Sequence, residues 1–253
     1  MLLLNPEIIQ INRELVDEID LKSKAIFRLI TFCKKTSSRK LLETFINSTN
    51  SLTELLSIKN AQMEAQSIEE VEVYHKDLKK TILFVVNEIK NQVPFESQVQ
   101  LFQIFRLISP DAHLMHPNRY RDTIVQIGRY ICPSPEEINS LVAQLFENLD
   151  LIAHPIIRAI YFHHELIRIH PFVDGNGRIT RIAKNWILMF NLYPPIFIKD
   201  ELEKKEYIQS LSDSFQALNH DNALWDQATN RFFDSELKRI LYSVEYILNR
   251  LNE

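Results

Sequence analysis

The sequence predicts a mostly α-helical protein with one small β-hairpin, and three observations carry that prediction. The 253 residues contain three glycines, where ordinary usage of about 7% would supply roughly 18. A turn-rich sandwich or barrel needs glycine for tight turns and bulges, so such folds are disfavoured. Apolar residues recur at three-to-four spacing through most of the chain, as on one face of a helix. β-branched and aromatic residues concentrate in one short stretch, residues 122–132, around Gly128.

The elements follow in order. Residues 7–34 carry Ile8, Ile11, Leu15, Ile19, Ile26 and Ile30 on a helical stripe. A polar break from Lys34 to Ser38 precedes a short helix around 39–47, and the turn at Asn47–Ser51 leads to Ser51 and Glu54 at capping-box spacing. Residues 66–91 are amphipathic, with Val71, Leu78, Ile82, Val85 and Ile89 inward, and Pro94 closes the element. A helix over 97–108 precedes a loop bracketed by Ser109-Pro110 and His116-Pro117-Asn118. Gly128-Arg129 is the turn of the hairpin. Pro133-Ser134-Pro135-Glu136-Glu137 restarts helix, with Ser134 as cap, Pro135 at the first position and acids in the first turn. Further helices are expected at 135–149, 154–169, 178–191, 200–218 and 222–249. No repeat or interdomain linker interrupts them.

Composition bounds the setting. The chain is 45% hydrophobic and 25% charged, an ordinary globular balance, and its net charge of −4 supplies no basic field for nucleic acid. Its two cysteines, Cys33 and Cys132, make neither a disulfide framework nor a four-cysteine zinc site, so a reducing, cytoplasmic environment is expected. Met1-Leu2-Leu3-Leu4 runs at once into Asn5, Pro6 and Glu7, unlike a signal peptide. No apolar run reaches the roughly 18–20 residues of a membrane span, and no membrane partner is expected.

The chemistry concentrates in His170-Pro171-Phe172-Val173-Asp174-Gly175-Asn176-Gly177-Arg178-Ile179-Thr180-Arg181. The segment joins the end of one helix to the start of the next. A helix N-terminus offers unpaired N–H groups and a positive dipole end to an anion. Gly175 and Gly177 let the backbone close on that anion, and Asn176 can donate an amide hydrogen bond. Arg178 and Arg181 share a helical face and can reach one polyphosphate. Asp174 suits Mg²⁺, a hard cation that takes one or two carboxylates plus phosphate oxygens. His170 can serve as a base near neutral pH. The pattern describes a polyphosphate and Mg²⁺ site with a histidine beside it, which points to phosphoryl or nucleotidyl transfer.

This segment matches without gap the signature H-P-F-x-[DE]-G-N-G-R-x-x-R, at odds on the order of 10⁻⁹ for chance in this length, and so resembles the Fic family. His163, Glu165 and Ile169 resemble the family's lead-in to the motif. Val125-Gln126-Ile127-Gly128 with Pro133-Ser134-Pro135 resembles its flap, Arg121 the arginine ahead of the flap, and Trp225 with Phe232-Phe233 a pattern near the end of the domain. The likeness divides the chain into an N-terminal helical segment (1–60), a Fic domain (61–235) and a C-terminal helix (236–253). It implies a Fic-type helical bundle that transfers AMP from ATP to a hydroxyl side chain of a target protein. His170 would deprotonate the hydroxyl, Asp174 would hold Mg²⁺ and Asn176 with neighbouring N–H groups would stabilise phosphate charge. Arg178 and Arg181 would hold the outer phosphates, and Phe172 would anchor the motif. The flap, Ile124, Val125, Gln126, Ile127 and Gly128, would dock the target as an added strand. Homo-oligomers are common in the family.

Many relatives carry an inhibitory glutamate in an [ST]-x-x-x-E-[GN] helix that pairs with the second motif arginine. Two registers compete, Ala65–Glu70 with Glu69 and Asn60–Ala65 with Glu64, and Glu69 is preferred because the apolar positions after it fit. Tyr207 either flanks an adenine ring or fills helix core. His163, His164 and His170 invite a zinc reading, but Arg168 stands where a second H-E-x-x-H histidine belongs. Two further readings stay open. One is AMP removal or transfer of another phosphate-containing group on the same scaffold. The other is a nucleotide-sensing module without activity, which would need neither His170 nor Asp174.

Overall fold

A computed structural model describes residues 1–33, 67–196, 198, 200–218 and 224–252. In chain order its helices are α1 (Arg13–Cys33), α2 (Ile68–Lys90), α3 (Gln98–Ile108), α4 (Pro110–Met115), α5 (Pro135–Leu151), α6 (Pro155–Ile169), α7 (Asn176–Phe190), α8 (Glu201–Leu218) and α9 (Gln227–Asn252). Between α4 and α5 stands the hairpin β1 (Gln126–Ile127) and β2 (Tyr130–Ile131), antiparallel, with Gln126 opposite Ile131 and Ile127 opposite Tyr130. The mostly helical reading holds. The expected helix at 39–47 and the Ser51 turn lie outside the described residues.

Local signals set most boundaries. Ser97 caps α3, and the Gln100 side chain returns the bond to the Ser97 N–H at 3.0 Å. The Ser134 N–H donates to the Glu137 carboxylate at 3.0 Å at the start of α5, and Ser67 accepts from the Glu70 N–H at 3.2 Å at the start of α2. Several boundaries differ from expectation, two of them for a plain reason. α1 begins at Arg13 rather than residue 7, because Pro6 and the Asn5 side chain fix a separate 3-10 turn at Pro6–Ile8. The expected loop after Ser109 opens with α4, since Pro110 at a first helical position starts a helix as readily as it stops one.

α6 and α7 form the central pair. α5 lies against α6, α2 and α3 flank α7, and α1 and α8 pack on α9. From Ala159 to Ile169 every residue of α6 is buried. A helix buried all round must pair its polar residues inside. His164 bonds Glu165 at 2.7 Å and Ser214 at 2.8 Å, and Arg168 donates to Glu165 at 2.8 Å. The N-terminal strap finishes the job. The Leu4 N–H donates to Glu165 at 3.2 Å, the Tyr161 hydroxyl donates to the Leu4 carbonyl at 2.7 Å, and Arg168 donates to the Leu2 carbonyl. Leu3 and Leu4 are buried. No described helix is long and apolar enough to cross a membrane.

Arg121, 2% exposed, ties the hairpin to the end of α6. Its guanidinium donates to the carbonyls of His170 (2.7 Å), Thr123 (2.5 Å), Pro133 (2.7 Å) and Ile169 (3.3 Å), and its N–H donates to Pro171 at 2.8 Å. Arg121→Met keeps the volume and strands the four carbonyls that the guanidinium holds. At about 1 kcal/mol for each stranded group, it is expected to cost about 4 kcal/mol and to lower the unfolding midpoint by roughly 8–16 °C in calorimetry.

Burial pushes His163 down to about 4 and lowers His164 as well. A histidine whose folded pKa lies below its unfolded one takes up its proton on unfolding, so stability is full above about pH 6.5 and drains as pH falls toward 4. For His163 the loss at pH 5 is on the order of 2 kcal/mol. Unfolding midpoints measured from pH 7 to pH 5 should therefore fall, and a flat profile would contradict the buried, neutral imidazoles.

Candidate active site

The site is built on the loop between α6 and α7. His170 closes α6 with φ 51°, in the left-handed region, while its N–H still donates to the Leu166 carbonyl at 2.9 Å. That reversal turns the imidazole out of the helix row and into a cavity of about 510 Å³. Pro171 prevents the helix from continuing. Phe172 then plunges into the core, 1% exposed, its ring 4.5 Å from Phe105 and 5.4 Å from Tyr120.

Asn176 has a task the sequence reading did not give it. Its side-chain oxygen accepts from the Phe172 N–H at 2.9 Å and its amide donates to the Phe172 carbonyl at 2.7 Å. One of its two amide N–H groups thus helps to close the loop in a two-bond clamp. Gly175 has φ 77°, and a Cβ there would stand 2.4 Å from the Ser109 hydroxyl oxygen. α7 starts at Asn176, two residues earlier than expected, and no side chain caps it. The N–H groups of its first turn are therefore left for a ligand, and Gly175, Asn176, Gly177 and Arg178 line the cavity.

The two arginines divide. Arg178, 4% exposed, turns into the wall, donating to the Ile108 carbonyl at 3.1 Å and to Asp174 at 2.8 Å, with the Tyr74 ring centroid 4.1 Å away. Arg181 also reaches the cavity, where it hydrogen-bonds the Tyr207 hydroxyl, and burial lowers its pKa. Asp174 is 54% exposed, and its Oδ2 accepts from Ser109 at 2.9 Å and from Arg178. One half-exposed carboxylate, fixed through one oxygen, fits the donor set of Mg²⁺, which keeps waters and phosphate oxygens in its other positions.

His170 is pushed down to about 4, by burial first and by the Arg121 charge, against the Ile167 carbonyl and Asp174. Nδ1 is buried beside Ile167, and the His170 ring lines the cavity. A neutral imidazole with its proton on Nδ1 presents a lone pair at Nε2, the arrangement a general base needs.

The hairpin is shorter than the expected 122–132 stretch, two residues per strand, with Gly128 at φ 59° in the turn. Ile124 and Ile131 are 73% and 57% exposed, whereas Val125 and Ile127 are partly buried against the core. Glu69 stands exposed in the first turn of α2, its carboxylate lowered by its own backbone N–H and the Ser67 hydroxyl, and its bonds do not reach Arg181. Glu64 lies outside the described residues. Tyr207 lines the cavity and is buried in the core.

Sequence reading missed Ser109, Tyr74 and Lys204. Tyr74 falls on the same stripe as Val71 and Leu78, where it could have been found. Ser109 was visible only as a loop marker. Lys204 lines the cavity from α8 and carries no sequence signal. His164, Glu165 and Ser214 mimic a hydrolase triad, but all three are fully buried and reach no substrate. Among the described residues no cluster of three metal-ligating side chains forms, and Cys132 is a buried thiol pushed up to about 11 by burial.

Comparison with known proteins agrees with this geometry. Residues 97–188, from α3 through most of α7, match the Fic/DOC family model. A protein adenylyltransferase Fic from Nematostella vectensis is 27% identical over 83% of this chain and 52% of its own. The chain spans about half, or less, of the length of the curated relatives it matches. A Fic domain-containing signaling protein from Bacteroides thetaiotaomicron superposes with a TM-score of 0.66 at 21% identity, covering 94% of this chain and 97% of that one. A structure of IbpAFic2 covalently tethered to Cdc42 superposes with a TM-score of 0.57 at 19% identity, covering 92% and 72%. Motif, fold and sequence match coincide on the loop between α6 and α7, and it is over residues 97–188 that the chain is similar to the Fic/DOC family.

Proposed function

We propose that this protein transfers AMP from ATP to a hydroxyl side chain of a protein target. The observation that carries the reading is His170 on the wall of a cavity floored by the uncapped start of α7. A base and an anion cradle share one wall.

In this mechanism His170 Nε2 takes the proton of the incoming hydroxyl. The hydroxyl oxygen bonds to the α-phosphorus as the bond to pyrophosphate breaks, and pyrophosphate leaves with the electron pair. The N–H groups of the α7 first turn hold the phosphate oxygens, and Arg181 faces the outer phosphates. Such transfer depends mainly on positioning and charge neutralisation. Asp174 would hold Mg²⁺, which supplies charge neutralisation on the phosphates. Arg178 keeps Asp174 and the Ile108 carbonyl in place, so its part is to shape the site. The target docks along the hairpin, where Ile124 and Ile131 offer exposed apolar contacts. The free, buried Cys132 suits the cytoplasmic setting expected from cysteine usage.

Inhibition by a glutamate ahead of the domain belongs to the same proposal. Glu69 stands exposed in the first turn of α2, so of the two registers we favour Asn60–Ala65, with Glu64, over Ala65–Glu70. Tyr74 shows that the inner face of α2 reaches the cavity.

Two measurements test this. With labelled ATP and candidate target or the protein itself as acceptor, His170→Ala should lower AMP transfer by at least ~100-fold while nucleotide binding persists. Labelling unchanged by that substitution would remove the mechanism. In the same assay Glu64→Gly should raise labelling several-fold and Glu69→Gly should leave it near the parent level. The opposite order would restore Glu69 as the inhibitory residue.

A further inference from the structure

Behind the cavity runs a chain of buried polar groups that takes no direct part in the transfer. The Tyr207 hydroxyl bonds Arg181 on its cavity side and His163 Nε2, 2.7 Å away, on its inner side. His163 Nδ1 stands 3.5 Å from Oε2 of Glu236 on α9. Glu236 also accepts from Lys184 at 2.6 Å and from Arg239 at 2.5 Å. His163 and Glu236 are fully buried, and Lys184 and Arg239 are 3% and 7% exposed. The elements α6, α7, α8 and α9 each contribute one link or more.

The charges favour one arrangement. Lys184 and Arg239 hold Glu236 well below the carboxylate range, although burial alone would raise it. His163 Nδ1, 3.5 Å from that carboxylate, makes no hydrogen bond, but the negative charge favours the His163 proton on that nitrogen. Nε2 is then an acceptor, and the Tyr207 hydroxyl donates to it. That fixes the hydroxyl rotor and turns the oxygen lone pairs toward Arg181, which can only donate. Buried polar networks that are satisfied in a single way rigidify what they support.

The geometry points to His163 as a positioning residue, which holds the Tyr207 hydroxyl and through it aims the Arg181 guanidinium at the outer phosphates of the nucleotide. This rests on the nucleotide reading of the cavity. Glu236 serves the same end one step further back, by keeping the His163 tautomer.

The test uses ATP with Mg²⁺, titrated calorimetrically onto the full chain carrying His170→Ala so that turnover does not intervene. His163→Gln places an amide oxygen where Nε2 stands and keeps the bond to Tyr207. His163→Asn places its amide where Nδ1 stands and keeps only the contact with Glu236. Positioning through Tyr207 predicts that the Gln variant binds within about threefold of the parent, and that the Asn variant binds at least about tenfold more weakly. Tyr207→Phe should weaken binding as much as His163→Asn, with no further loss when the two are combined. The inference is overturned if the Asn variant binds like the parent. It is equally overturned if both variants lose affinity in step with a lowered unfolding midpoint, which marks His163 as core packing alone. A parent that binds no ATP would remove the nucleotide reading itself, a result distinct from a parent that binds and variants that match it.

Discussion

The site depends on one buried guanidinium. Arg121 holds carbonyls from both ends of the hairpin, at Thr123 and Pro133, and from the last turn of α6, at Ile169 and His170. The proposed base and the proposed docking strand are thereby fixed to a single planar group. Five donors in a rigid fork can do this, whereas the point charge of a lysine cannot reach four carbonyls in one plane. No carboxylate neutralises Arg121 in these bonds, so its charge also helps to keep the His170 imidazole neutral. Architecture and chemistry meet in that residue.

Around it, many motif side chains that look like ligand contacts are engaged in shaping the loop. Asn176 clamps Phe172, Ser109 and Arg178 fix Asp174, and Thr180 bonds back to the Asn176 carbonyl at 2.7 Å. The groups left facing the cavity are His170, the half-exposed Asp174, the α7 N-terminus and Arg181. Preorganised polar sites work this way: most polar atoms bond one another so that a few stay fixed for the ligand.

Much of this was legible in the sequence, for reasons that differ by element. Helix spacing is a local property, so α2, α3, α5 and α6 fall where the apolar stripes put them. The motif loop was readable because Gly175 must adopt φ 77° against Ser109, and such positions tolerate few residue types. α4 was missed because Pro110 signals a start and a stop alike. The clamp of Asn176 on Phe172 was not legible because an amide between two glycines can serve loop or ligand equally, and only the position of the Phe172 backbone shows the loop bonds. Ser109 lies 65 residues from Asp174, and nothing local in Ser-Pro announces the partnership.

The strap at Leu2–Leu4 bears on the order in which the protein takes shape. Its contacts with Glu165 and Tyr161 join residues separated by 161 and 157 positions. At ordinary translation rates the helix that receives it follows by roughly 10–30 s. For that interval Leu3 and Leu4, buried in the finished fold, have no groove to enter. The helix that presents the proposed base draws its closing contacts from residues made well before it.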